Sequence, residues 1–153
     1  MALRAKVGAR GSDFIQVDAL IVGAGPVGGY LAKRLADKGK SVLMVEEHAQ
    51  IGRPFQCAGL VNPGSMSKVG LEEVAQTRIW GARIHGPEGT LVEIGSPERT
   101  RTWSVCRKLF DEAVVNMAVS TGAGLILNSR PVETQVNDDR VETTIESDGG
   151  TIQ

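Results

Sequence analysis

Three glycines and one carboxylate are the residues in this chain whose types and spacing could do chemistry. Gly23, Gly25 and Gly28 stand in the run Gly23-Ala24-Gly25-Pro26-Val27-Gly28, and Glu46 follows 18 residues after Gly28. Such a turn suits a pyrophosphate. The first glycine permits the tight bend, the second lets the backbone approach with no Cβ in the way, and the third lets the following helix pack closely on the strands. The N–H groups at that helix start turn about half a positive charge toward the phosphates. Glu46 sorts among dinucleotides. Its carboxylate can accept hydrogen bonds from both hydroxyls of a ribose, each worth about 1.5–3 kcal/mol to a charged acceptor. A 2′-phosphate would face it at ~4 Å and cost about 4 kcal/mol at an effective dielectric of roughly 20. NADP is therefore disfavoured, whereas FAD and NAD both fit. Glu47 reads as a solvated neighbour.

With 19 glycines in 153 residues, the spacing alone carries little weight, and the flanking elements must supply the rest. Residues 17–22 read as a short apolar strand entering the turn. Val27, Gly28, Leu31, Ala32, Leu35 and Ala36 then recur at helical spacing, and Gly39 sits where a helix-ending glycine belongs. Residues 41–46 read as a second strand, apolar on both faces as in a parallel sheet covered on both sides. Strand, turn, helix and strand make a βαβ unit. Residues 48–76 read as loop, interrupted by Gly52, Pro54, Gly59, Pro63 and Gly64. Residues 78–85 and 90–94 form a hairpin pattern around 86–89. The spacing of Phe110, Ala113, Val114, Met117 and Ala118 predicts a helix over 107–120, with Asp111 and Glu112 placed in its first turn. A buried strand is expected at 125–127, and a second hairpin at 132–136 and 141–145. Trp80 and Trp103 are expected to pack within strands, and Cys106 within the core. Residues 1–16 read as a loose leader without periodicity. The alternating pattern breaks off after the Asp148-Gly149-Gly150 turn, which predicts a chain cut short of a domain boundary.

Composition narrows the function classes. Apolar residues make up 41% and charged residues 23%, and the net charge of −1 offers no field for nucleic acid or anionic lipid. Two cysteines, Cys57 and Cys106, make neither a disulfide framework nor a zinc site, and point to a reducing, intracellular compartment. No apolar run of ~20 residues is free of Gly and Pro punctuation, and the basic N-terminus lacks the apolar run of a secretory signal. His48 and His85 have no companions at metal-ligand spacing, so no metal is expected.

The segment Asp18-Ala19-Leu20-Ile21-Val22-Gly23-Ala24-Gly25-Pro26-Val27-Gly28 resembles the opening of FAD-dependent oxidoreductases of the glutathione-reductase superfamily. The loop Ile51-Gly52-Arg53-Pro54-Phe55-Gln56-Cys57-Ala58-Gly59-Leu60-Val61 is more specific. It is similar to the flavin-side loop of the geranylgeranyl reductase family, notably the archaeal digeranylgeranylglycerophospholipid reductases. Arg107-Lys108-Leu109-Phe110-Asp111, followed by a helix and Thr121-Gly122-Ala123-Gly124, resembles the same family. The resemblance covers roughly residues 17–145.

It implies an α/β fold: a Rossmann-like FAD-binding βαβ unit with part of an inserted β-rich segment. After the leader over 1–16, which is unusual for the family, the resemblance implies a partial FAD-binding domain over 17–153, truncated at the C-terminus. Strands within 78–95 would belong to an incomplete substrate domain. The resemblance also implies roles. Val27 and Glu46 would hold the pyrophosphate and the adenosine ribose, Cys57 and Ala58 would lie along the flavin, Arg107 would reach the cofactor, and Val132 would present backbone to the adenine edge. Family members saturate isolated double bonds of prenyl chains with hydride from the reduced flavin. The implied partners are a prenyl lipid and an external electron donor, NAD(P)H or ferredoxin, with no nucleic acid. The implied location is cytoplasmic with peripheral membrane contact, although no basic amphipathic helix in this chain supports that contact. No catalytic residue is assigned. The family's Ala-Asp-Gly and Gly-Asp segments and its apolar substrate tunnel have no counterpart here, so an inactive fragment is expected. Two other readings stay open: an FAD-dependent aromatic-ring hydroxylase or quinone-linked dehydrogenase, and a non-catalytic FAD- or NAD-binding module.

Overall fold

The computed structural model describes residues 2–8, 13–147 and 150–152. The chain divides into two units, one made of residues 1–53 with 111–153 and the other of residues 54–110.

The first unit is built around the strand predicted after the glycine turn. It contains β1 (Ala2–Gly8), β2 (Asp13–Val17), β3 (Ala19–Val22), α1 (Pro26–Ala36) and β4 (Val42–Val45). All four residues of β4 are buried. Successive side chains of a strand point to opposite faces, so a run buried throughout must be covered twice. Val42 and Met44 pack on one side with Ile21, Ala32, Val115 and Ala118, and Leu43 and Val45 on the other with Val17 and Ile145.

The strand β5 (Leu60–Val61) opens the second unit, followed by α2 (Pro63–Val69), β6 (Ala75–Ile79), β7 (Gly81–His85), β8 (Leu91–Gly95) and β9 (Thr102–Val105). Then α3 (Arg107–Ser120) carries the chain across the boundary into the first unit, which is completed by β10 (Gly124–Ile126), β11 (Ser129–Val136), β12 (Arg140–Ser147) and β13 (Gly150–Ile152).

A three-stranded parallel sheet, in the order β10-β4-β3, forms the centre of the first unit, with Met44 paired to Ile21 on one side and Leu125 on the other. Helices α1 and α3 supply Ala32, Val115 and Ala118 to one face. A five-stranded sheet, β11-β12-β13-β1-β2, supplies Val17 and Ile145 to the other.

That second sheet corrects the reading of residues 1–16 as a loose leader. β1 runs parallel to β12, pairing Ala2 with Arg140 through Ala5 with Thr143, and β2 folds back antiparallel on it. The period-two alternation Leu3-Arg4-Ala5-Lys6-Val7 is the strand signal in those residues. The strand expected from Val17 is also divided. Asp18 breaks it, its carboxylate accepting from the Ser41 N–H and hydroxyl at 2.8 and 2.9 Å.

In the second unit, β5, β9 and β6 form a small antiparallel sheet, and β7 and β8 form the expected hairpin. The predicted strand over 78–85 is two strands, broken at Trp80, which is 42% exposed. The stretch read as loop contains α2. Asn62 caps it, its side chain accepting the Ser65 N–H at 2.9 Å, with Pro63 at the first helical position and Gly70 closing it at φ +66°. Among the described residues, no helix is long and apolar enough to cross a membrane.

Candidate cofactor-binding site

β3 delivers the chain to Gly23, whose N–H donates to the Val45 carbonyl at 2.8 Å and whose φ is +92°. That conformation favours glycine, and the bond ties the turn to β4. Gly25 precedes α1 with φ −76°, and a Cβ placed on it would meet no atom within 4 Å. The turn therefore leaves space where a side chain would otherwise stand. Gly28 is the opposite case. A Cβ there would overlap the Gly23 carbonyl oxygen and come within 3.2 Å of Ile21 Cγ2. Its role is to let α1 start against the turn and against β3.

The next glycine was not singled out by the motif. A Cβ on Gly29 would lie 3.0 Å from Val115 Cγ2 and 3.2 Å from Val114 Cγ1, so Gly29 sets the approach of α1 to α3. The start of α1 has no side-chain cap, Pro26 at its first position needs no N–H partner, and no acid lies in its first turn. Val27 is 82% exposed beside it. An uncapped helix start next to a cleared backbone is an anion site in chemical terms.

Glu46 follows β4 and is pinned through its backbone. Its N–H donates to the Ile126 carbonyl at 2.9 Å, and its carbonyl accepts the Ser129 N–H at 2.8 Å. The side chain is largely enclosed, at 14% exposed. Oε2 accepts the Ala24 N–H at 2.9 Å, so the carboxylate is bonded to the glycine turn itself. Oε1 accepts the His48 N–H at 3.1 Å and lies 2.6 Å from His48 Nδ1. Burial pushes the Glu46 carboxyl up, but the Ala24 and His48 hydrogen bonds outweigh it and hold the group below its ordinary value. Glu46 is ionised at neutral pH.

A carboxylate offers about four lone-pair sites, and three are in use here. That limits the room the carboxylate has for accepting from both hydroxyls of a ribose. Neither Ala24 nor His48 belongs to the glycine motif or to the resemblance. The second-residue-on contact of Glu46 with His48 leaves no periodic trace in a sequence.

Next to Glu46 lies a polar cleft of about 390 Å³ lined by Glu47, Asn128, Ser129, Arg130, Glu146 and Ser147. Asn128 adopts φ +49°, and its N–H reaches the His48 carbonyl at 3.3 Å. Val132 sits on β11 at an irregularity of the ladder. Pro131 pairs with Ile145 and Glu133 with Thr144, which leaves Val132 outside the pairing and exposed.

The remaining predicted residues belong to the second unit. Cys57 and Ala58 are exposed in the loop before β5. Gly59, at φ +74°, accepts the Val105 N–H at 2.8 Å, and its Cβ position is 3.7 Å from Arg107 Cγ. The loop and Arg107 therefore come together. Arg107 is half-buried as the first residue of α3, and Cys106 just before it is half-buried, not core. α3 starts at Arg107 as expected, but Asp111 and Glu112 lie four and five residues past that start, in the second turn, and Asp111 is buried.

Residues 16–146 match the family described as the FAD binding domain. The chain belongs to that family. The FAD-binding domain is 34% identical over 133 residues to the digeranylgeranylglycerophospholipid reductase of Methanosarcina acetivorans, covering 82% of this chain and 32% of the relative. It is 34% identical to the reductase of the same name from Methanospirillum hungatei, covering 90% of this chain and 35% of that one. The chain thus spans about a third of the length of the curated relatives it matches. A solved geranylgeranyl bacteriochlorophyll reductase-like protein from Thermoplasma acidophilum shares the fold, with TM-score 0.79 and 24% identity over 88% of this chain and 36% of that one. FAD is the cofactor, and the residues fit it: space at Gly25, an uncapped helix start, and an ionised Glu46 bonded to the turn.

Proposed function

We propose that this FAD-binding domain serves an oxidoreductase that reduces isolated carbon–carbon double bonds in the prenyl chains of lipids. Gly23, Gly25, Val27 and Gly28 with the start of α1 take the pyrophosphate, and Glu46 takes the adenosine ribose. Val132, left out of its ladder, offers backbone groups to the adenine edge. Cys57 and Ala58 line the flavin, and Arg107 reaches toward it from the head of α3. Bound FAD supplies the hydride. The chain's residues hold the cofactor and clear the backbone around its phosphates. The electron donor is NAD(P)H or ferredoxin, and the protein works in the cytoplasm with peripheral contact to the membrane that holds its substrate.

The observation that carries this reading is the 34% identity to reductases acting on digeranylgeranylglycerophospholipid. An apolar cleft of about 420 Å³ in the second unit, lined by Leu60, Ile79, Ala82, Ile94 and others, supports it, since prenyl chains seek such surfaces. The test is an assay of the complete native protein, loaded with FAD and reduced by dithionite, on digeranylgeranylglycerophospholipid. Mass spectrometry should show one H2 gained per double bond saturated. A flavin that reduces and reoxidises normally with no saturated product would overturn the reductase reading.

A further inference from the structure

Three donors already occupy Glu46. Ala24 N–H holds Oε2 at 2.9 Å, while the His48 N–H at 3.1 Å and His48 Nδ1 at 2.6 Å both address Oε1. A carboxylate oxygen can only accept, so this contact is a hydrogen bond with the proton on Nδ1. Lone-pair capacity then leaves one place, on Oε2. A ribose brings two hydroxyls, each of which prefers a charged acceptor. One can be accommodated directly, and the second finds Oε1 filled.

The His48 ring can leave and the other two donors cannot. Ala24 and His48 N–H are backbone groups fixed by the turn and by the exit from β4. The His48 side chain is 37% exposed, and its imidazole needs only a rotation to reach water. We propose that the His48 imidazole is a displaceable placeholder on Glu46, competing with one ribose hydroxyl of the adenosine for Oε1 and so setting cofactor affinity. The inference rests on the reading of Glu46 as the ribose acceptor. Without the ring, the carboxylate remains placed by its two backbone donors, and a water covers Oε1. A free water is displaced more readily than a tethered imidazole.

The experiment measures binding of ADP, 2′-deoxy-ADP and 3′-deoxy-ADP to the full chain by calorimetry, for wild type, His48→Ala, His48→Asn and Glu46→Gln. His48→Ala should bind ADP roughly three- to tenfold more tightly, and the gain should vanish for one of the two deoxy analogues. His48→Asn, which restores a donor near the Nδ1 position, should stay within about twofold of wild type. ADP affinity that is unchanged or weaker in His48→Ala, or a gain equal for all three ligands, overturns the placeholder. Glu46→Gln isolates the underlying reading: if it binds ADP as tightly as wild type, the ribose assignment itself falls, whatever His48 does.

Discussion

Glu46 links two things a dinucleotide site must provide, a charged acceptor and a fixed turn, because the same carboxylate bonds the Ala24 N–H. Its folded-state pKa lies below the ordinary 4.5, so the stability it contributes is fully present above that value and is lost as pH falls through the folded pKa. Denaturant midpoints measured from about pH 7 to about pH 3 should therefore drop less for Glu46→Gln than for wild type across the acid limb. The glycines separate by the same kind of reasoning. Gly25→Ala meets no protein atom and should keep stability within about 1 kcal/mol, while losing at least roughly tenfold in FAD affinity, because its Cβ occupies the cleared space. Gly28→Ala should instead lower stability by about 1–3 kcal/mol, since its Cβ meets the Gly23 carbonyl and Ile21. Flavin fluorescence titration alongside thermal melts distinguishes the two.

At the scale of elements, the approach of α1 to α3 decides how the helix layer covers Val42 and Met44. Gly29 is the contact point, with Val114 and Val115 opposite. Gly29→Leu should destabilise the chain by about 1–3 kcal/mol in denaturant unfolding, through overpacking of that crossing. Gly29→Ala should remain near wild type, the tight contact with Val115 being offset by the roughly 0.8–1 kcal/mol helix preference of Ala over Gly. The central elements were legible because each carries its own period: the doubly apolar β4, the i, i+3, i+4 set of α3, and the hairpin turned at residues 137–139. The short α2 is not legible in the sequence, although Asn62-Pro63 is a cap and first-turn pair. Seven residues hold too few apolar positions to show a helical period.

For the whole molecule, the parallel sheet is stabilised by cover on both faces, and anything that binds only the folded state adds to that by mass action. FAD at roughly 100 times its dissociation constant should add about 2.7 kcal/mol to the stability of the folded chain. NADP at the same concentration should shift the melting temperature far less, because its 2′-phosphate would meet the ionised Glu46. An equal shift from both would mean that Glu46 does not face the ribose.

The βαβ unit, its glycine turn and the acid after the second strand are written in local patterns, since period, glycine and strand-end charge act over a few residues. The pairing of residues 2–5 with 140–143 lies outside that reach, as no local rule says which distant strand a short alternating segment will join. The same holds for Gly29, whose neighbours lie on a helix some 85 residues away. Lone-pair occupancy at Glu46 is likewise a matter of three dimensions. Residue type made it an acceptor, but the fold of the turn brought the Ala24 N–H to one oxygen and the path out of β4 brought His48 to the other. How much of the carboxylate remains for a ligand depends on where those donors end up in space.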